Sequence, residues 1–244
     1  MQMRHVGWSD LVEDLLGFGL RSLRSLRQVL VKPRPYFEAA QTPDWSGFTP
    51  SFRLYIALFA VSSALRFLYL GDDGLMTELY TQQFETVLAE LKTTDERFAG
   101  VQASDIARDT LDGLFRYVAP IQFAAYTLFG LVWGAYGEKL TTPVRVRYIY
   151  ALLIPSFLVM TVATLALIVA PAEWMGVLSF GSMGLAAIVI GITAYAGAFP
   201  QELPRAERAI RATVIGIILL ALNFLATLIA MLIGMFGAFG NALG

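Results

Sequence analysis

The stretch that most constrains the fold of this chain runs from Tyr148 to Ala170 and contains no charged residue. At about 1.5 Å per residue, a helix of this length crosses a hydrocarbon layer about 30 Å thick. Arg145 and Arg147 precede the stretch and Pro171 follows it, so cationic anchors mark one membrane face and a helix stop marks the other. The stretch therefore predicts a transmembrane helix, although Pro155 removes one backbone hydrogen bond inside it.

The composition of the whole chain supports this interpretation. Hydrophobic residues make up 57% of 244 residues, and the mean hydropathy is +0.61. Soluble domains contain about 45–50% apolar residues, so the chain is predicted to be an integral membrane protein. Because the chain has no cysteine, disulfides, thiolate catalysis and zinc–thiolate or iron–sulfur sites are excluded.

Four further apolar stretches resemble the first, and together they predict an all-α, polytopic membrane helix bundle. We expect five transmembrane helices in one membrane domain that covers residues 52–244. Their expected ranges are 52–70, 117–136, 148–170, 175–199 and 212–239. The polar, acidic segment 71–116 keeps helical spacing of its leucines, which predicts an extracytoplasmic helical hairpin between the first two spans.

Residues 1–51 are predicted to form a cytoplasmic region with an amphipathic helix at 8–31. The second half of that helix is basic beside an apolar face, which is typical of a helix lying on an anionic leaflet. The residues expected to bind acidic headgroups are Arg21, Arg24, Arg27, Lys32 and Arg34. The alternative is that the helix packs against the membrane domain or another subunit. Residues 32–50 hold four of the ten prolines and predict a rigid, irregular connector.

The distribution of Lys and Arg predicts the orientation of the chain. These residues concentrate in the amino-terminal region and in the segments 137–147 and 200–211. With five spans, all three regions lie on one side, which the positive-inside rule assigns to the cytoplasm. We therefore expect a multi-pass protein of the bacterial cytoplasmic (inner) membrane, with its amino terminus in the cytoplasm and its carboxyl terminus in the periplasm.

Small and polar residues within the spans predict contacts between helices. Gly130 and Gly134 form a GxxxG pair, and Gly181 and Gly184 lie in a glycine-rich fourth span. Small residues at such spacings let helix backbones approach closely. Asn223 is the one strongly polar side chain of the fifth span, and we expect it to bond to a neighbouring helix or to backbone.

The chain lacks the reactive groups of the common enzyme classes. Its single histidine, His5, lies in the predicted cytoplasmic tail, and we find no HExxH, P-loop or GxSxG motif and no paired intramembrane carboxylates. No catalytic residue, metal or cofactor is therefore expected. Nucleic-acid binding is not expected either, since the basic residues lie where topology already requires them. A small transporter or channel remains the alternative, with a polar path near Arg66, Glu138 and Asn223.

Two segments and the order of the spans resemble the Yip-type family of five-span membrane proteins, named for members that interact with Ypt/Rab GTPases. The segments are VLVKPRPYFEA at 29–39 and GEKLTTPVRVRYIYALLIPSFL at 137–158, the latter with a tyrosine, Ala151 and Pro155 pattern. The chain lacks the DLYGP motif of eukaryotic members, whose roles are Rab binding and membrane shaping, and its short loops resemble the bacterial branch. The resemblance implies an all-helical bundle, and it does not define a biochemical role for the bacterial branch. From the basic amphipathic helix and the missing reactive groups, we expect a non-enzymatic protein that organises membrane or protein partners. Anionic lipids are the expected partner, and a membrane-protein partner or a second copy of the chain stays open.

Overall fold

The computed structural model describes residues 19–70, 75–136, 139–169 and 174–243. Every regular element in these ranges is helical, which confirms the all-α class. The α-helices are α1 (Leu20–Val31), α2 (Pro33–Ala40), α3 (Ser51–Leu70), α4 (Leu75–Thr94), α5 (Ala103–Val132), α6 (Thr142–Val169), α7 (Met175–Thr193) and α8 (Arg205–Ala242). Two short 3-10 turns lie at Trp45–Gly47 and Glu96–Phe98, and a π turn at Ala194–Ala198 ends α7.

Among the residues that the structure describes, three helical segments are long and apolar enough to cross a membrane. They are Thr142–Ala166, Phe180–Ala198 and Arg205–Ala242, and α3 adds a shorter apolar segment, Ser51–Leu65. A helix needs about 20 apolar residues to span the hydrocarbon core, so these segments are compatible with a membrane-embedded protein.

The chain divides into two compact units. The first unit comprises Met1–Ser62 and Tyr126–Leu220, and the second comprises Ser63–Ala125 and Ala221–Gly244. In the first unit, seven consecutive residues near the start of α6, from Tyr148 to Ile154, are all buried. A helix that is buried on every face must be surrounded by other elements, so this part of α6 is the centre of the unit.

The second unit is built around a small hydrophobic cluster and a close helix crossing. The cluster contains Phe84, Leu88, Phe98, Ile106, Ala107 and Ala238. The helices α5 and α8 run antiparallel, with Asp109 accepting a hydrogen bond from Asn241 and Gly113 lying against Gly234. A Cβ atom on Gly234 would lie 2.5 Å from the Thr110 carbonyl oxygen, a backbone atom, so glycine is needed at this crossing.

The predicted irregular connector is wrong over part of its length, because Pro33–Ala40 forms helix α2. Proline is tolerated in the first turn of a helix, where its missing N–H has no partner to lose and its fixed φ suits the helix. Pro33 and Pro35 occupy that turn, so they begin a helix instead of preventing one. The helix predicted over 8–31 is seen as α1 from Leu20, and its residues up to 18, like His5, lie outside the described ranges.

Candidate membrane-interface site

One face of α1, called the serine face, packs against the segment that leads into α3. Ser22, Ser25 and Val29 are buried, with at most 1% exposure. The Ser22 hydroxyl lies 3.2 Å from the Thr49 hydroxyl, and the Thr49 N–H donates to the Ser25 oxygen at 2.7 Å. Small hydroxyl side chains let the two backbones approach and satisfy each other's polar groups. The alternative in which this helix packs against the rest of the chain therefore applies to its serine face.

The opposite face of α1 is exposed and combines apolar with basic residues. Leu23, Leu30 and Val31 are 54%, 48% and 66% exposed, and Arg24 and Arg27 are exposed beside them. Leu23 and Leu30, which the sequence places on the apolar face of an amphipathic helix, are thus largely exposed. They remain available for another apolar environment.

Three of the five predicted lipid-binding residues have partners within the chain. The Arg21 guanidinium donates to the Phe48 carbonyl oxygen at 2.5 Å, and the Arg24 guanidinium lies 5.4 Å from the Phe48 ring centroid. Arg34 Nε lies 2.9 Å from a carboxylate oxygen of Glu38 one turn later. These cations already contribute to local structure.

The other two predicted lipid-binding residues, Arg27 and Lys32, are exposed. Among the described ranges, no ion pair or hydrogen bond engages the charged group of either side chain. Two cations without a carboxylate partner attract anions most directly.

Arg147 fastens the connector to the start of α6. Its Nη1 atom donates to the carbonyl oxygens of Ala40 and Thr42, both at 2.9 Å, and its guanidinium lies 5.3 Å from the Trp45 ring centroid. The Ser51 hydroxyl donates to the Arg147 carbonyl at 2.8 Å. A cation suits the carbonyls at the carboxyl end of α2, where the helix dipole is negative. Arg147 is thus a structural contact as well as a topological marker.

Two further arginines bind carbonyls that follow the carboxyl end of α5. Arg145 Nη1 donates to the Trp133 carbonyl at 3.4 Å, and Arg211 Nη1 donates to the Ala135 carbonyl at 2.9 Å. Arg211 also bonds to Glu207. The sequence pattern indicated only that these basic residues lie near a membrane face, because the Trp133 and Ala135 carbonyls lie in the segment after α5, outside the helices that carry the arginines.

The connector carries a backbone conformation that L-residues rarely adopt. Trp45, Ser46 and Gly47 have φ values of 58°, 46° and 83°. Two non-glycine residues in the left-handed region cost roughly 1–3 kcal/mol each, so the contacts around them must hold the turn. The Ser46 N–H donates to the Asp44 carboxylate, which lowers the pKa of Asp44, and a contact with the Thr42 hydroxyl adds to that effect.

Tyr36 of α2 contacts the connector on both sides of this turn, at Trp45 and at Thr49. Its ring lies 5.5 Å from that of Trp45, and its hydroxyl donates to the Thr49 carbonyl at 2.8 Å. Burial raises the pKa of Tyr36, because the charged phenolate would be removed from water. The connector is therefore a packed element on which α1 rests.

Charge is divided unequally between the two units. By sequence, the first unit contains thirteen Lys and Arg residues and nine Asp and Glu residues, a formal charge of +4. The second unit contains five Lys and Arg residues and ten Asp and Glu residues, a formal charge of −5. The site built by α1, α2 and the connector thus lies in the unit with the excess of cations.

The predicted helix-packing glycines fall into two groups. A Cβ on Gly130 would lie 2.9 Å from Val146 Cα, so glycine is needed where α5 meets α6, whereas one on Gly134 would lie 3.6 Å from Arg145 Nη1, an ordinary contact. A Cβ on Gly181 or Gly184 would meet no atom within 4 Å. No helix contact within the described chain accounts for these two glycines, and their packing role stays a prediction.

Asn223 joins two helices of the second unit. Its Oδ1 atom accepts a hydrogen bond of 2.8 Å from Gln122 Nε2, which connects α8 to α5. Of the other residues in the predicted polar path, Glu138 lies outside the described ranges and Arg66 is described only through the α3 backbone. Within the described residues, no group of three or more His, Asp or Glu side chains has an arrangement that could hold a metal ion.

Comparison of the chain with protein-family models, with curated proteins and with solved structures finds no match. The class of the protein is therefore defined by its own fold and site. Over its described residues it is an all-helical protein with three helices of membrane-spanning length and a cationic unit that presents a docked amphipathic helix.

Proposed function

We propose that the chain is a non-enzymatic, multi-pass inner-membrane protein of Yip type that organises membrane or protein partners. In this proposal five helices cross the membrane over the ranges expected from the sequence. The amino terminus and the basic segments lie in the cytoplasm, and the acidic hairpin and carboxyl terminus lie in the periplasm.

The division of charge between the two units carries this proposal. Cytoplasmic segments of membrane proteins are enriched in Lys and Arg, and the first unit has the excess of cations while the second has the excess of carboxylates. An acidic leaflet attracts juxtamembrane cations with about 1 kcal/mol per Lys or Arg. The exposed cations of α1 therefore give the cationic unit a direct means of holding anionic lipid.

Lipid retention by the full-length protein tests this role. The protein is purified in nonionic detergent, and the retained phosphatidylglycerol per chain is measured by mass spectrometry. Replacing all five basic residues of the site by glutamine should lower the retained phosphatidylglycerol at least about tenfold. The control replaces Lys92 and Arg108, exposed cations of the second unit, and should retain the wild-type amount. Equal retention in all three proteins contradicts the proposal.

A small transporter or channel is the second candidate, and the buried amide pair favours it. Gln122 is only 8% exposed and bonds to Asn223 within apolar helices, and polar groups at membrane depth often mark a solute path. Solute flux into proteoliposomes that Asn223→Leu abolishes would support transport. Wild-type protein without flux, combined with a loss of stability in Asn223→Leu, assigns the pair to helix packing.

A further inference from the structure

One edge of α1 combines exposed apolar side chains with the two unengaged cations. Leu23, Arg27 and Leu30 follow one another at helical spacings of four and three residues, so they share a face. Val31 ends the helix and Lys32 follows it as the C-cap residue, and both are exposed beside the end of this face. We call these five residues the leucine edge.

The leucine edge differs from the remainder of the basic region in what it touches. Arg21 and Arg34 are engaged by Phe48 and Glu38, respectively, and the serine face of α1 is buried. Arg27 and Lys32 have no such partner in the described residues. No acidic residue occurs in α1, so nothing on this helix neutralises the edge.

Helix α1 is attached to the chain just before the exposed apolar surface of α3 begins, which is the position expected for a helix at the lipid headgroups. Helix α1 is bonded to Phe48 and Thr49, which lead directly into α3. Phe52, in the first turn of α3, is already 47% exposed, and Ile56 one turn later is 42% exposed. Apolar surface therefore begins within about one helical turn of the residues that hold α1.

We propose that the leucine edge is a binding surface for acidic phospholipid. Leu23 and Leu30 lie at the boundary between headgroups and acyl chains, while Arg27 and Lys32 bind the lipid phosphates. Arg21 is a positioning residue that fixes α1 on the connector. This assignment rests on the proposed function. Of the five basic residues proposed there to bind lipid, it assigns phosphate binding to Arg27 and Lys32.

The absence of cysteine from the native chain allows a clean test. In a full-length Val31→Cys protein, the single cysteine is labelled with the fluorophore NBD, and the protein is placed in nanodiscs that contain phosphatidylcholine with phosphatidylglycerol. The rate at which aqueous dithionite quenches the fluorophore reports how often the edge is exposed to water. We expect slow quenching that becomes faster when phosphatidylglycerol is left out.

Charge-matched variants locate the interaction. Replacing Arg27 and Lys32 by glutamine should raise the quenching rate about thirtyfold, since each cation near an acidic surface contributes a factor of about five. The control pair Lys139→Gln and Arg205→Gln removes the same charge from exposed residues elsewhere in the first unit and should change the rate less than about threefold. The exchange Arg27→Lys with Lys32→Arg keeps the charge and should keep slow quenching even if the glutamine variants fold poorly.

The remaining outcomes separate this inference from the proposed function. An equal rise in the quenching rate in both glutamine pairs would mean that acidic lipid is attracted by the overall charge of the unit, and it would overturn lipid binding at the leucine edge. Reduced lipid retention in the five-residue variant would still support the proposed function. Fast quenching of the labelled parent protein with and without phosphatidylglycerol shows that the edge faces water and also overturns it. In that case a soluble acidic protein is the better occupant.

Discussion

The same substitution at two glycines should have opposite effects on stability. Gly197 lies in the π turn that ends α7, and a Cβ there would lie 2.6 Å from Phe37 Cδ2 and 2.8 Å from Pro33 Cβ. Phe37 is fully buried and packs edge-to-face on Tyr148 at a centroid distance of 4.9 Å, so its ring has little room to move. Overpacking of this kind costs about 1–3 kcal/mol, which is the expected loss for Gly197→Ala.

Gly181 provides the matched control, because a Cβ there meets nothing within 4 Å. It lies inside α7, where alanine is favoured over glycine by about 0.5–1 kcal/mol. Gly181→Ala should therefore stabilise the protein by about that amount. The two variants should differ by roughly 1.5–4 kcal/mol although they add the same methyl group.

The free energy of unfolding of the full-length protein in mixed micelles, measured against the fraction of denaturing detergent, checks this prediction. Unfolding of Gly197→Ala at or above the wild-type midpoint would refute the close packing of α2 on the π turn. A loss of stability in Gly181→Ala would mean that something outside the described chain packs on that glycine, such as a second copy.

Three further perturbations test the contacts around the site and the second unit. Arg147→Gln removes two charge-assisted hydrogen bonds and an aromatic contact and should lower the free energy of unfolding by about 2–4 kcal/mol. An unchanged free energy of unfolding would contradict the contact between Arg147 and the connector. Gln122→Leu and Asn223→Leu should show a coupling of about 0.6–1.7 kcal/mol in a double-mutant cycle, and additive effects would show that the amides do not interact. The hydrogen bonds and charge of Arg97 lower the pKa of Asp95, so the small stabilisation from this pair is present above the unfolded pKa, about 3.9, and is lost as the pH falls through the lower folded value. An NMR titration should show this pKa rising towards the ordinary value in Arg97→Gln, which keeps the backbone hydrogen bond at residue 97, and no rise would contradict the side-chain contact.

The helices were predictable because length and hydropathy are local properties of the sequence. The uncharged stretch from Tyr148 to Ala170 lies almost entirely within α6, Thr142–Val169. The same reasoning failed for α2, because proline content alone does not distinguish a helix start from an irregular loop. The position of Pro33 directly after Lys32, with no proline from Tyr36 to Ala40, is the local signal that favours a helix start.

The site itself was only partly predictable. The basic character of α1 follows from its sequence, but the burial of its serine face depends on Thr49, which lies 24 residues from Ser25. The Arg147 guanidinium donates hydrogen bonds to two carbonyl oxygens that lie 105 and 107 residues away in sequence. Such contacts depend on tertiary packing, and a positive charge near a membrane face gives no indication of them.

The central claim is that the basic segments 1–51, 137–147 and 200–211 lie on one membrane face and the acidic segment 71–116 lies on the other. Single cysteines in the otherwise cysteine-free chain test it most directly, at Glu90 in α4 and at Gln201 between the π turn and α8, both of which are exposed. In intact spheroplasts, a membrane-impermeant maleimide should label Glu90→Cys at once and label Gln201→Cys only after the membrane is opened. Labelling of both cysteines from the same side in intact spheroplasts would contradict the account.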